Sequence, residues 1–193
     1  MKKIAVSGGI GSGKSVVCKI LRTLNYRVYD CDSRARILMD SNKAMIETLS
    51  LEFGEIILDC EGNINRPELA KIVFSDSEKL RRLNEIVHGE VRADLEEWFE
   101  QCRKEGCERA FVETAILYQS GLDRMVDEVW EVDAPERLRI ERVTKRNSIS
   151  VEEVESRIRA QQAHVVETPH SHTVIVINDG LMPLLPQIES LLH

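Results

Sequence analysis

A run of small residues around a single lysine, Ser7-Gly8-Gly9-Ile10-Gly11-Ser12-Gly13-Lys14-Ser15, fits G-x-x-x-x-G-K-[ST] at every position. Residue types in this order point to phosphate binding. Glycines let the backbone turn tightly and approach an anion with no Cβ in between. The first amides of a following helix then face the anion with the helix dipole behind them. Lys14 is expected to reach the β and γ phosphates of a nucleotide, and the Ser15 hydroxyl to ligate Mg2+. Further along stand the acids Asp30, Asp32 and Glu113, then an arginine-rich run at 137–146. A carboxylate can orient or deprotonate an attacking hydroxyl, or hold a metal through water, and arginines stabilise charge on a transferring group.

The elements that must position these groups are legible around them. The apolar run 3–6 has strand character and 15–24 carries apolar residues at helical spacing, so the loop lies between a strand and a helix. A β-prone run at 26–29 leads to Asp30-Cys31-Asp32, two acids at a strand's carboxyl end, which in an open parallel sheet borders the ligand crevice. Asp32 can also cap a helix that begins near Ser33, a role compatible with the functional one favoured at a strand end, and Arg34 and Arg36 stand on that helix as candidate anion clamps. Residues 41–106 read as helical almost throughout, broken at Gly54 and at Asp59-Cys60-Glu61-Gly62-Asn63. That is too long for a simple crossover and predicts an inserted helical subdomain. Within it His88 lies on a helix beside Gly89, where a structural role is the simpler reading.

Residues 109–113 form a third strand ending in Glu113, which either holds Mg2+ through water or caps the segment starting at Thr114. A fourth strand, 128–132, leads through Pro135, placed for a helix's first turn, into the cationic helix 136–146. Arg139, Arg142 and Arg146 share one face of it, the arrangement of a lid that closes over phosphates. Ser150-Val151-Glu152-Glu153 fits a capping box, and the next helix carries Arg157 and Gln161. A buried fifth strand at 173–177 ends in the tight turn Asn178-Asp179-Gly180, which could border an adenine, and 184–192 closes the chain as an amphipathic helix.

Composition narrows the class. With 193 residues, 42% hydrophobic and 31% charged, the chain suits one α/β domain with a small inserted subdomain. A formal net charge of -7 argues against a general nucleic-acid binder. No signal-peptide core and no run of membrane-spanning length is present, so a cytoplasmic protein with no membrane partner is expected. Five cysteines without a C-x-x-C pair suit a reducing compartment better than a disulfide framework. Two other readings stay open on the residues alone: another small-molecule P-loop kinase acting on a nucleoside or nucleoside monophosphate, and a nucleotide-dependent switch. Asp59-Cys60-Glu61-Gly62 matches the D-x-x-G of switches, but Asn42-Lys43-Ala44-Met45 lacks the acid of N-K-x-D and the order is wrong.

Taken together, the chain resembles the dephospho-coenzyme A kinase family over nearly its whole length. The resemblance rests on Gly8 to Ser15, on Asp30-Cys31-Asp32 with Ala35-Arg36, and on Ile116-Leu117-Tyr118-Gln119-Ser120-Gly121-Leu122. It rests further on Glu141-Arg142 with Arg146, and on Arg157 with Ala160-Gln161. It implies an α/β fold: a P-loop kinase core with a five-stranded parallel sheet (1–40, 107–134 and 168–193), a helical substrate-domain insertion (41–106) and a small helical lid (135–167). It implies transfer of the ATP γ-phosphoryl group to the ribose 3′-hydroxyl of dephospho-CoA, with ATP and Mg2+ bound. Asp32 would be the base, with Lys14 and Arg142 the other catalytic groups. ATP would lie on Gly8 to Val16, Arg146 and Asn178, and the acceptor on Asp32, Arg36, His88, Arg157 and Gln161. Mg2+ would lie on Ser15, with Asp32 and Glu113 through water. Four positions depart from the family pattern: Gly89 and Ala115 stand where proline is usual, Gln119 where glutamate is, and Val16 where threonine is. The oligomeric state is not set by the sequence.

Overall fold

The computed structural model describes residues 1–162 and 169–193. Five parallel strands form one sheet in the order β2-β3-β1-β4-β5. They are β1 (Lys2–Ser7), β2 (Arg27–Asp30), β3 (Arg109–Glu113), β4 (Glu128–Asp133) and β5 (Thr173–Ile177). β1 lies between β3 and β4 because Ile4, Ala5 and Val6 are buried on both faces, as a central parallel strand requires. The chain first winds to one side of β1 and then crosses to the other, which opens a crevice at the strands' carboxyl ends. The register sets two pairs there: Asp30 beside Glu113, and Ser7 beside Glu131.

The chain divides into two compact units, Met1–Asp30 with Cys102–His193, and Cys31–Gln101. In the first, α1 (Lys14–Thr23) and α8 (Leu184–Leu192) cover one sheet face. Ile4, Val6, Phe111, Trp130 and Val132 there meet Val17, Leu21 and Ile188. Phe111 and Trp130 pack edge to face at 5.2 Å. Both rings are fully buried, so truncating either to alanine would cost about 3–5 kcal/mol. α6 (Glu136–Asn147) and α7 (Val151–Gln162) form a hairpin around Val143, Val154 and Ile158. Ile10 of the glycine loop packs against that small core. The Ser150 hydroxyl takes the Glu153 amide at 3.2 Å and so caps α7 as its sequence requires.

The second unit holds α2 (Cys31–Ser41), α3 (Lys43–Phe53), α4 (Arg66–Phe74) and most of α5 (Ser77–Lys104). Met45, Leu49, Ile57 and Leu69 are among its buried residues. Asn42 and Asn65 cap α3 and α4. Arg34 is committed to Asp94 of α5, with Nε 2.9 Å from Oδ2, so it joins two helices rather than standing ready as a clamp. α2 starts directly at Cys31, so Asp32 sits inside its first turn instead of capping a helix from Ser33. α6 starts at Glu136 as expected, with Pro135 at its N-cap rather than in its first turn. The expected boundary between lid and core at 167 and 168 lies outside the described residues. Among the described residues no helix is long and apolar enough to cross a membrane, and the five cysteines are free thiols.

Candidate active site

Helix α1 begins at Gly13, which has φ of 100° and no side chain to cap the first turn. The early amides of α1 therefore face outward with the helix dipole behind them, as an anion site requires. Gly8, at φ 142°, passes so close to β4 that a Cβ would stand 2.3 Å from the Val132 carbonyl oxygen, and at Gly11 a Cβ would meet the Arg139 backbone oxygen at 2.6 Å. No side chain fits at either place without moving backbone, so these two glycines seat the loop between β4 and α6. Lys14 Nζ donates to the carbonyls of Gly8 (2.7 Å) and Gly9 (3.2 Å), folded across the loop it is expected to serve.

α6 and α7 grip the same loop. Arg139 Nε donates to the Ile10 carbonyl at 2.9 Å, and its guanidinium lies against Gly9. Arg142 donates to the Asn178 carbonyl at 3.1 Å and to its Oδ1 at 3.3 Å, while Asn178 Nδ2 donates to the Ser12 carbonyl at 2.7 Å. Gln161 is a clip: its Oε1 accepts from the Ile10 amide at 2.8 Å and its Nε2 donates to the Ala115 carbonyl at 3.1 Å. Arg146 points elsewhere, to Asn147 at 3.0 Å, and Arg157 pairs with Glu153 on the exposed side of α7 at 2.6 Å.

At the neighbouring strand ends burial pushes the Glu113 carboxyl above the ordinary glutamate range, and the Asp30 charge adds to the push. Its partners are the Cys18 thiol, itself raised mainly by burial, and Arg22 at 3.8 Å. Next to the loop opens a cleft of about 300 Å3 whose walls include Ser7, Leu117, Tyr118, Gln119 and Glu131. Burial raises Glu131 as well, against a hydrogen bond from Ser7 and the charges of Lys14 and Arg139. In the other unit Asp32 and Arg36 are exposed one turn apart on α2, and the Arg36 carbonyl accepts from Arg66 at 3.1 Å. His88 is half-buried on α5, where burial, and then Arg92, push its pKa down.

Sites for the expected groups can be tested on these features. The Ser12 hydroxyl is buried in the loop without a hydrogen-bond partner, as a polar atom kept for a phosphate would be, and the glycines let the Arg139 guanidinium and the Asn178 amide approach the loop backbone where a Cβ would clash. Two carboxylates in register, one raised partly by the other, are hard oxygen donors whose repulsion a divalent cation relieves. Among the described residues no group of three or more His, Cys, Asp or Glu could hold a metal. Sequence reasoning put Arg139 on the cationic face without making it a site residue, and it passed over Glu131. The signal for Glu131 was present: an acid in the apolar strand Val129-Trp130-Glu131-Val132.

Comparison with known proteins agrees with this architecture. A family model described as dephospho-CoA kinase matches residues 2–183. A dephospho-CoA kinase of Porphyromonas gingivalis is 37% identical over 190 residues, covering 97% of this chain and 91% of the relative. A solved protein of Thermus thermophilus superposes with a TM-score of 0.75 at 35% identity, covering 99% of this chain and 94% of its own. The dephospho-CoA kinase of Campylobacter jejuni does so with a TM-score of 0.67 at 25% identity, covering 98% and 93%. A glycine loop seated between β4 and α6, and a match that runs through sheet, insertion and arginine helix alike, lead to one assignment: the chain belongs to the dephospho-CoA kinase family.

Proposed function

We propose that this protein transfers the γ-phosphoryl group of ATP to the ribose 3′-hydroxyl of dephospho-CoA, giving CoA and ADP. The observation that carries the reading is the meeting of the glycine loop and its neighbour Asn178 with Arg139, Arg142 and Gln161, which sets two arginines of α6 beside the loop expected to cradle phosphate.

In the reaction the acceptor hydroxyl gives its proton to a carboxylate as its oxygen bonds to the γ-phosphorus, and the bond from that phosphorus to the β,γ-bridging oxygen breaks to release ADP. The base is assigned to Asp32 from its place in the chain, two residues beyond the end of β2. Lys14 exchanges the loop carbonyls for the β and γ phosphates, and Arg142 stabilises the charge that spreads over the transferring group. Mg2+, held by the Ser15 hydroxyl and through water by Glu113, would neutralise the phosphate oxygens during transfer. Residues 41–106, through His88 among others, would bind the acceptor together with Arg36 of α2, and residues 135–167 would close as a lid that excludes water.

A coupled assay with dephospho-CoA, ATP and Mg2+ tests this, with turnover of roughly 1 to 100 per second expected. Asp32→Asn should bind ATP normally and lose on the order of 10²–10⁴ in single-turnover transfer. A near-normal rate in that variant would remove Asp32 as the base, and an absence of transfer to dephospho-CoA by the unaltered protein would overturn the reading.

A further inference from the structure

The cleft beside the loop contains a carboxylate that the reaction above does not use. Glu131 lies between Trp130 and Val132, whose side chains enter the core shared with α1 and α8, so by strand alternation its own side chain projects from the opposite face. There it lines the cleft with Ser7, its partner in the strand register. A half-buried carboxylate has about four acceptor positions and is costly to leave with few of them filled. Lys14 and Arg139 face it as charges, but Lys14 donates to Gly8 and Gly9 and Arg139 to Ile10.

We propose that this cleft binds the adenine ring of the phosphoryl acceptor, with Glu131 accepting from the exocyclic amine and the Gln119 side chain donating to the adjacent ring nitrogen. The inference rests on the proposed function for its premise that the acceptor is an adenine nucleotide. Arg139, Gly8 and Gly9 also line the cleft, but beside Glu131 itself a carboxylate disfavours an anion and favours an uncharged donor. Ala115, Leu117 and Tyr118 supply apolar and aromatic wall, suited to a flat ring. Across the same cleft Gln119 brings a side-chain amide, exposed and able to donate or accept. Carboxylate and amide together match an edge with one donor and one acceptor, which adenine has. Hypoxanthine, with oxygen in place of the amine, would set an acceptor against the carboxylate.

The test compares dephospho-CoA with its hypoxanthine analogue, under ATP and Mg2+, in the unaltered protein, Glu131→Gln and Gln119→Leu. The unaltered protein should favour adenine by about 10²–10⁴ in kcat/KM, since a site built to pair a polar group rejects the analogue that lacks it. Glu131→Gln should cut that ratio at least tenfold, by losing on adenine and gaining on hypoxanthine, with KM for ATP within about twofold. Gln119→Leu, at an exposed position, should cut the ratio without lowering Tm and so covers the case in which Glu131→Gln folds poorly. Equal losses on both acceptors with a raised KM for ATP would mean that Glu131 only steadies the loop cations, and would overturn the proposal. An unchanged ratio in both variants would overturn it as well. Calorimetric binding of adenosine and inosine, with the ATP site saturated by a non-hydrolysable analogue, separates the two readings. Adenosine preference lost in Glu131→Gln, in a protein that fails to phosphorylate dephospho-CoA, sinks the function and keeps the cleft; transfer to dephospho-CoA without that preference does the reverse.

Discussion

Replacing Gln161 by glutamate changes one atom of the clip between the glycine loop and Ala115. The structure says what this does. The carboxylate still accepts from the Ile10 amide, now at 2.8 Å, but it cannot donate to the Ala115 carbonyl at 3.1 Å, so one neutral hydrogen bond worth about 1 kcal/mol is lost. The larger effect is charge. A carboxylate on a loop amide stands roughly 5 Å from where a phosphate would lie, which at an effective dielectric of about 20 is about 3 kcal/mol of repulsion. Gln161 is only half-buried, so solvent screening reduces this to about 1.5–2 kcal/mol, or roughly 10- to 30-fold weaker ATP binding. Gln161→Ala, which adds no charge and lets water reach both backbone groups, should hold ATP affinity within about threefold. The assay is calorimetric ATP affinity for the three proteins, with KM for dephospho-CoA measured separately. If Gln161→Glu keeps its ATP affinity and only the KM for dephospho-CoA rises, Gln161 is a ligand of the acceptor, as the family resemblance implies, and not a clip on the loop.

Lys14→Ala should lose at least about 100-fold in transfer while Tm falls by no more than about 8 °C, since its bonds to Gly8 and Gly9 contribute about 1–2 kcal/mol; a transfer rate left intact would take the loop out of the mechanism. Arg142→Ala should lower turnover at saturation by about 10²–10³ with ATP affinity changed less than tenfold, and the opposite split would make it a binding contact only. Glu113 has its pKa raised in the folded state, so its ionisation opposes folding increasingly as pH rises from the ordinary value of 4.5 through the raised one. Glu113→Gln should therefore melt higher than the unaltered protein at pH 7 to 8, with the difference vanishing below about pH 4, where the acid is protonated folded and unfolded alike. Equal melting curves at all pH values would mean that its burial carries no such penalty. In the same variant the Mg2+ concentration needed for half-maximal transfer should rise.

By itself the sequence determined the local geometry of this protein. Gly8, Gly11 and Gly13 need backbone angles that side chains resist, and the apolar runs on either side have periods of strand and helix, so loop, strand and helix follow from neighbours in the chain. The same logic placed Asp30 and Glu113 at strand ends and read the stretch between β2 and β3 as mostly helical. Tertiary structure alone decided which charged groups reach the loop. Arg139, Arg142 and Arg146 share one helix face in the sequence, yet only the first two bond to the loop or its neighbour Asn178, because α6 crosses at Gly11 and its last turn extends past the contact. Gln161, 151 residues away from Ile10, finds the loop amide only because the α6–α7 hairpin closes on the Ile10 side chain. Glu131 reads as one misplaced acid in a buried strand until the register sets it beside Ser7 and the cleft supplies a reason for its charge. Periodicity fixes the face of an element, but what that face meets depends on crossings and registers set by packing many residues away.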